Sequence, residues 1–140
     1  DMRMERSSGR TIFVTGNEDL TSRFTAECCS APGALRIMAF LNGTFIDVTR
    51  EYPSLIERDA WDAWVAVRDY SKKDPSIGDA NLVRYLADKY MLREDADGWR
   101  NAQAAYSKEA IHSVGHERES DWAAFKRLAA KALREEGYSY

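Results

Sequence analysis

The stretch Arg36-Ile-Met-Ala-Phe-Leu-Asn-Gly-Thr-Phe-Ile-Asp-Val-Thr49 decides how the first half of the chain folds. Two runs rich in β-branched and aromatic residues flank Asn42-Gly43. This dipeptide favours a type I′ turn, because both central positions of that turn require a positive φ. A two-residue loop also fixes the register of the hairpin, and it predicts that Leu41 lies opposite Thr44.

This register divides the side chains of the hairpin between its two faces. We expect one face to be buried, and the second face is only half polar. Phe40 and Phe45 lie opposite each other on that second face, so they are either covered by a helix or part of a binding surface. The face expected to be buried carries Ile37, Ala39, Leu41, Ile46 and Val48, and the second face carries Arg36, Met38, Phe40, Phe45, Asp47 and Thr49.

Upstream of the hairpin, the sequence predicts one more strand and a short helix. Residues 10–15 contain the apolar run Ile12-Phe-Val14, and Gly16-Asn17 ends it. Leu20, Phe24 and Cys28 then recur every four residues, which is typical of a helix. Residues 1–9 are polar apart from two methionines, and we expect them to form a flexible N-terminal segment.

Downstream of Tyr52-Pro53 the apolar period changes from 2 to 3.6 residues, which predicts four helices. The first begins at a capping box, Ser54 to Glu57, and carries an apolar stripe that includes Trp61. The others span about 78–91, 99–114 and 120–136. We therefore predict a single α+β domain over residues 10–140, with a small antiparallel sheet (a strand plus the Asn-Gly hairpin) packed against a bundle of about four helices. Its sheet-bearing part spans residues 10–52 and its helical part 53–140.

Composition excludes several classes of protein. The chain of 140 residues has 4 Trp, 7 Tyr and 5 Phe, which is too much apolar surface for a disordered protein. No run of about 18 apolar residues is present, so we expect no membrane span. The only cysteines, Cys28 and Cys29, are adjacent and cannot form a disulfide framework. Unpaired thiols favour a reducing compartment, so we expect a cytoplasmic protein.

Few residues in the sequence point to catalysis. His112 and His116 have the spacing of two ligands on one helical face, but Gly115 interrupts the helix between them and further ligands are needed. Cys28 and Cys29 lack a recognisable partner base. We therefore expect no cofactor, no metal and no enzyme activity. The alternative is a small hydrolase or transferase that uses His112 with a nearby carboxylate.

A second alternative is a DNA- or RNA-binding protein, because basic and aromatic residues alternate between positions 84 and 100. Aromatic rings among arginines can stack on bases while the cations contact phosphates. The net charge of −3 and several local carboxylates oppose this hypothesis. The four cations concerned are Arg84, Lys89, Arg93 and Arg100.

The absence of a catalytic constellation favours a non-catalytic interaction module that binds a macromolecular partner and modulates its activity, as a regulator, inhibitor or adaptor does. A protein is the expected partner, and a second copy of the chain is an alternative one. Exposed aromatic residues are the usual anchors of protein interfaces. The candidates are Phe40, Phe45, Tyr52, Tyr70 and Tyr138.

Overall fold

A four-stranded antiparallel sheet packs against a layer of helices in the computed structural model, which describes residues 2–25, 31–70, 73–109 and 121–139. This confirms the predicted α+β fold. The strands follow chain order across the sheet. The elements are β1 (Arg3–Ser7), β2 (Arg10–Asn17), α1 (Glu18–Thr21), β3 (Ala34–Leu41), β4 (Thr44–Asp47), a 3-10 turn (Thr49–Glu51), α2 (Pro53–Tyr70), α3 (Pro75–Met91), α4 (Asp95–Glu109) and α5 (Asp121–Glu135).

Within the N-terminal segment that we expected to be flexible, Arg3–Ser7 form β1 at the edge of the sheet. β1 pairs with β2 in antiparallel register, with Met4 opposite Phe13. Ser8 and Gly9 connect the two strands with φ values of 52° and 79°. Ser-Gly is a weaker turn signal than Asn-Gly, and β1, the strand before it, has no continuous apolar run.

The central hairpin has the predicted register. Asn42 and Gly43 have φ values of 50° and 83°, as a type I′ turn requires, and Leu41 lies opposite Thr44. Its predicted buried face is correct only in part: Ile37, Ala39 and Val48 are buried, whereas Leu41 and Ile46 are exposed. The pattern assigned these two side chains to the correct face, but the core does not extend to this end of the hairpin.

α2 packs against the sheet and against α3 through a stripe that differs from the predicted one. The buried positions are Ile56, Ala60, Ala63 and Val67, which recur at intervals of three and four residues. Trp61 was predicted to lie on the stripe, but its side chain is 63% exposed. It lies one position beyond Ala60, which corresponds to about 100° around the helix.

α3 is the central helix of the fold, and it packs against the sheet and against α2, α4 and α5. Every residue from Gly78 to Asp88 is buried. Asp74 caps the helix by accepting hydrogen bonds from the amides of Ser76 and Ile77 at 3.1 and 3.3 Å. Pro75 begins this helix, three residues before the start predicted near residue 78.

α4 and α5 close the core through an aromatic cluster. The rings of Tyr106 and Phe125 have centroids 5.0 Å apart, and Trp122 lies 5.4 Å from Tyr106. Leu128 of α5 lies outside this cluster and is 38% exposed. Gly137 follows α5 with a φ of 79°, which is typical of a glycine that ends a helix. Among the described helices, none combines the length and the apolar character that crossing a membrane requires.

Candidate functional site

The turn end of the β3–β4 hairpin exposes large apolar side chains on both of its faces. Residues 40–46 are termed the hairpin tip. Phe40 and Phe45 are 52% and 53% exposed on one face, and Leu41 and Ile46 are 40% and 41% exposed on the other. An ordinary antiparallel strand at a surface has one apolar and one polar face. The hairpin tip differs from such a strand because both of its faces expose large apolar side chains.

The aromatic face of the hairpin tip is ordered by contacts between rings. Phe40 and Phe45 have centroids 5.0 Å apart, and Phe45 makes an edge-on contact with Phe13 of β2 at 5.2 Å. Met4 of β1 lies opposite Phe13 in the sheet and is 70% exposed. The apolar surface thus continues from the hairpin tip across β2 to β1, and its rings already have partners that fix their orientation.

A buried hydroxyl holds the base of the hairpin. Thr49 Oγ1 accepts a hydrogen bond from the amide of Ile37 at 2.8 Å and donates one to Asp47 Oδ1 at 2.6 Å. The same carboxylate oxygen accepts from the amide of Thr49 at 2.9 Å. Thr49 was placed on the half-polar face, but it is buried because the chain leaves the sheet after Asp47. These bonds lock β4 against β3 just below the hairpin tip.

The other predicted interaction residues lie on different elements. Tyr70 is 44% exposed near the end of α2. Tyr52 is half-buried, with the Arg10 guanidinium 5.9 Å from its ring centroid. Tyr138 is 7% exposed, its hydroxyl accepts a hydrogen bond from Asn17 Nδ2 at 3.4 Å, and burial raises its pKa. Of the five candidates, only Phe40 and Phe45 form a joint exposed surface.

Three of the four cations proposed to contact nucleic acid form ion pairs. Arg84 is 7% exposed and binds Asp59 of α2 through two nitrogens. Lys89 Nζ lies 2.6 Å from Glu94. Arg100 pairs with a carboxylate three residues before it in α4, and Arg93 is exposed just beyond α3. The region therefore offers little unpaired positive charge to a phosphate backbone.

A buried acidic group lies next to the Arg84 ion pair, on the core side of α3. Asp88 is fully buried and no described donor reaches its carboxylate oxygens, so a hydrogen bond with the neighbouring Asp59 carboxylate requires a proton on one of the two acids. Burial, and then the nearby Asp59 carboxylate, raise the pKa of Asp88 well above its ordinary value, while Arg84 acts in the opposite direction. The fold thus favours the protonated acid. Sequence patterns did not single out this group, because α3 reads as an ordinary amphipathic helix.

The candidate residues for catalysis cannot be placed in the fold. His112, His116, Cys28 and Cys29 lie outside the described residues. Within the ranges that the structure describes, no group of three or more His, Cys, Asp or Glu side chains could hold a metal ion.

Comparisons with protein-family models, with curated proteins and with solved structures find no match for this chain. The geometry of the hairpin tip therefore carries the functional inference.

Proposed function

We propose that the protein is a non-catalytic binding module whose hairpin tip inserts into an apolar groove of a protein partner and modulates that partner's activity. The observation that carries the proposal is the exposure of Phe40 and Phe45 on one face and of Leu41 and Ile46 on the other. Contiguous exposed apolar residues mark interaction sites in folded proteins. Because both faces are apolar, a groove that encloses the hairpin tip covers more of this surface than a flat partner does.

The apolar area that the two phenylalanines would bury is large enough to contribute substantially to the binding free energy. A Phe side chain buries about 200 Å² when fully enclosed. Phe40 and Phe45 expose about half of that surface, so enclosure removes about 100 Å² of each ring from water and contributes about 2.5 kcal/mol per ring. Since the ring contacts already restrict the rings and Thr49 holds the hairpin base, little side-chain freedom is lost on binding.

The charge of the hairpin tip favours a protein over a nucleic acid. Residues 40–46 contain no charged side chain, so burying them in a partner incurs no cost of desolvating an ion. Nucleic-acid affinity depends instead on cations that neutralise phosphates. The adjacent cysteines of the sequence favour a reducing compartment, and we place the proposed complex in the cytoplasm.

Site-specific photo-crosslinking tests the proposal. The photoreactive residue p-benzoylphenylalanine replaces Leu41 or Phe45, which lie on opposite faces of the hairpin tip, in protein produced in its source cells. Ser54 on α2 and Lys126 on α5 are exposed control positions. We expect the same protein partner to be captured from positions 41 and 45 and not from 54 or 126, because a groove contacts both faces at once.

A companion variant separates contact from chance proximity. Phe45→Asp places a charge in the proposed interface, and it should abolish capture from position 41 while Leu128→Asp on α5 leaves it intact. Adducts of twice the mass of the chain would identify a second copy of the chain as the partner. Equal capture from all four positions, or none from the hairpin tip, contradicts the proposal.

A further inference from the structure

A groove in the helical layer, which shares no residue with the hairpin tip, has an aromatic wall. It lies between α2, α3 and α4 and has a volume of about 410 Å³, which is within the range of small-molecule sites. Trp61 and Trp64 of α2 line one side, and Tyr85 of α3 lies beside them. The ring centroids of Trp64 and Tyr85 are 4.8 Å apart, so the two rings form one continuous surface.

The tyrosine of this wall is held in a fixed orientation. Tyr85 is 4% exposed, and its hydroxyl accepts a hydrogen bond from Asn101 Nδ2 at 2.8 Å. Trp61, one turn of helix before Trp64, is 63% exposed, and nothing in the apolar core requires a tryptophan there. The groove thus combines one rigid ring, one partly buried indole and one accessible indole.

The groove already accommodates a positive charge of the protein itself. Lys89 Nζ lies 5.7 Å from the ring centroid of Tyr85, within the distance of a cation–π interaction. The same ammonium group pairs with Glu94 at 2.6 Å, and Glu57 also lines the groove. Two carboxylates and one ammonium group therefore line the groove, and this net negative charge favours a further cation.

The walls offer few hydrogen-bond acceptors to a second cation. Indole rings have a donor but no acceptor, the Tyr85 hydroxyl is bound to Asn101, and Glu94 is bound to Lys89. A primary ammonium group has three donors, and beside three aromatic rings it would replace its hydrogen bonds to water only at Glu57 and the side-chain carbonyl of Asn101. A methylated ammonium group has no such requirement and presents an apolar, positively charged surface to aromatic faces.

We propose that this groove binds a small quaternary ammonium compound, with Trp61, Trp64 and Tyr85 contacting its methyl groups. Choline is the probe, and 3,3-dimethyl-1-butanol is its uncharged isostere of the same shape. The indole N–H signals of ¹⁵N-labelled full-length protein report binding at constant ionic strength. Trp99 and Trp122 belong to the aromatic cluster of α4 and α5 and serve as internal controls.

We expect choline to shift the indole signals of Trp61 and Trp64 in a saturable manner and to leave Trp99 and Trp122 unchanged. Affinity for choline should exceed that for the neutral isostere at least about tenfold, as a cation–π contribution predicts. Equal affinity for the two compounds, or the absence of saturable shifts, overturns the proposal. Shifts at all four indoles would indicate a general effect of the additive and would also overturn it.

Two variants test the roles of the named residues without disturbing the core. Trp61→Ala removes an exposed ring and should weaken choline binding at least about fivefold, whereas Leu128→Ala on α5 should not change it. Lys89→Gln removes the resident ammonium group and should tighten choline binding. Weaker binding in the Gln variant, or unchanged binding in Trp61→Ala, contradicts the assignment of the groove. None of these outcomes depends on the hairpin tip, so the two proposals fail separately.

Discussion

Replacing Asp88 with Asn should remove a pH-dependent loss of stability that arises from ionisation of this buried carboxyl group. The carboxyl group is fully buried beside the Asp59 carboxylate with no described donor for its oxygens, and burial raises its pKa well above the ordinary value. Asparagine has nearly the same shape and cannot ionise. The substitution therefore isolates the contribution of the proton.

The sign follows from proton binding in the folded and unfolded states. In the unfolded chain Asp88 loses its proton near pH 3.9, whereas in the folded protein it keeps the proton to a higher pH. Between these two pKa values the folded state binds one more proton, so the free energy of unfolding falls by about 1.4 kcal/mol per pH unit. The loss stops above the folded-state pKa. The Asn variant lacks it, so its stability relative to the wild type should rise across this window and then level off.

Urea unfolding followed by tryptophan fluorescence measures this difference from about pH 4.5 to about pH 8. Asp69→Asn, at an exposed position on α2 outside this charge network, is the matched control and should not reproduce the pH-dependent gain. Burying the amide can add a fixed cost to the Asp88 variant. Such a cost shifts its free energy of unfolding by the same amount at every pH and leaves the slope against pH unchanged.

Two results would refute this reasoning. A stability difference that does not vary with pH would mean that Asp88 has an ordinary pKa in the folded protein. An Asn variant that is several kcal/mol less stable throughout would mean that Arg84 requires an ionised Asp88 as a second partner, because breaking a buried charge network costs about 3–5 kcal/mol.

Further predictions concern the packing of the fold, and urea unfolding checks each of them. Gly33→Ala should destabilise the protein by about 2 kcal/mol, because an added Cβ would lie 2.6 Å from the carbonyl carbon of Asn17. Phe125→Ala should cost about 3–5 kcal/mol and Leu128→Ala less than about 1 kcal/mol, since only the first is fully buried, and equal losses would contradict the assigned core. Asp74→Ala should lower the urea midpoint at neutral pH. Its hydrogen bond from Ser76 lowers the pKa of Asp74, so this difference should disappear as the pH falls through the folded-state pKa.

Local signals of the sequence were sufficient to predict the architecture. Asn42-Gly43 determines its own turn type and therefore the hairpin register, and neither depends on distant parts of the chain. The change of apolar period after Pro53 similarly predicts the switch to helices. β1 was missed because its pairing with β2 supplies the order that its own polar sequence does not indicate.

The candidate sites depended on tertiary neighbours and could be predicted only in part. The alternation of side chains along the hairpin indicated Phe40 and Phe45. Leu41 and Ile46 belong to the site because the apolar core does not extend to this end of the hairpin. The burial of Asp88 was not predictable either, because periodicity cannot indicate that α3 is enclosed on all sides.

The affinity of the captured partner for Phe45→Ala, measured by isothermal titration calorimetry beside the wild type and Leu128→Ala, tests the central claim most directly. If the hairpin tip anchors the complex, loss of the Phe45 ring should weaken the Kd at least about 30-fold, as removal of an interface hot spot of about 2 kcal/mol does. Leu128→Ala should bind like the wild type. An unchanged Kd for Phe45→Ala would contradict the claim that the hairpin tip is the binding surface.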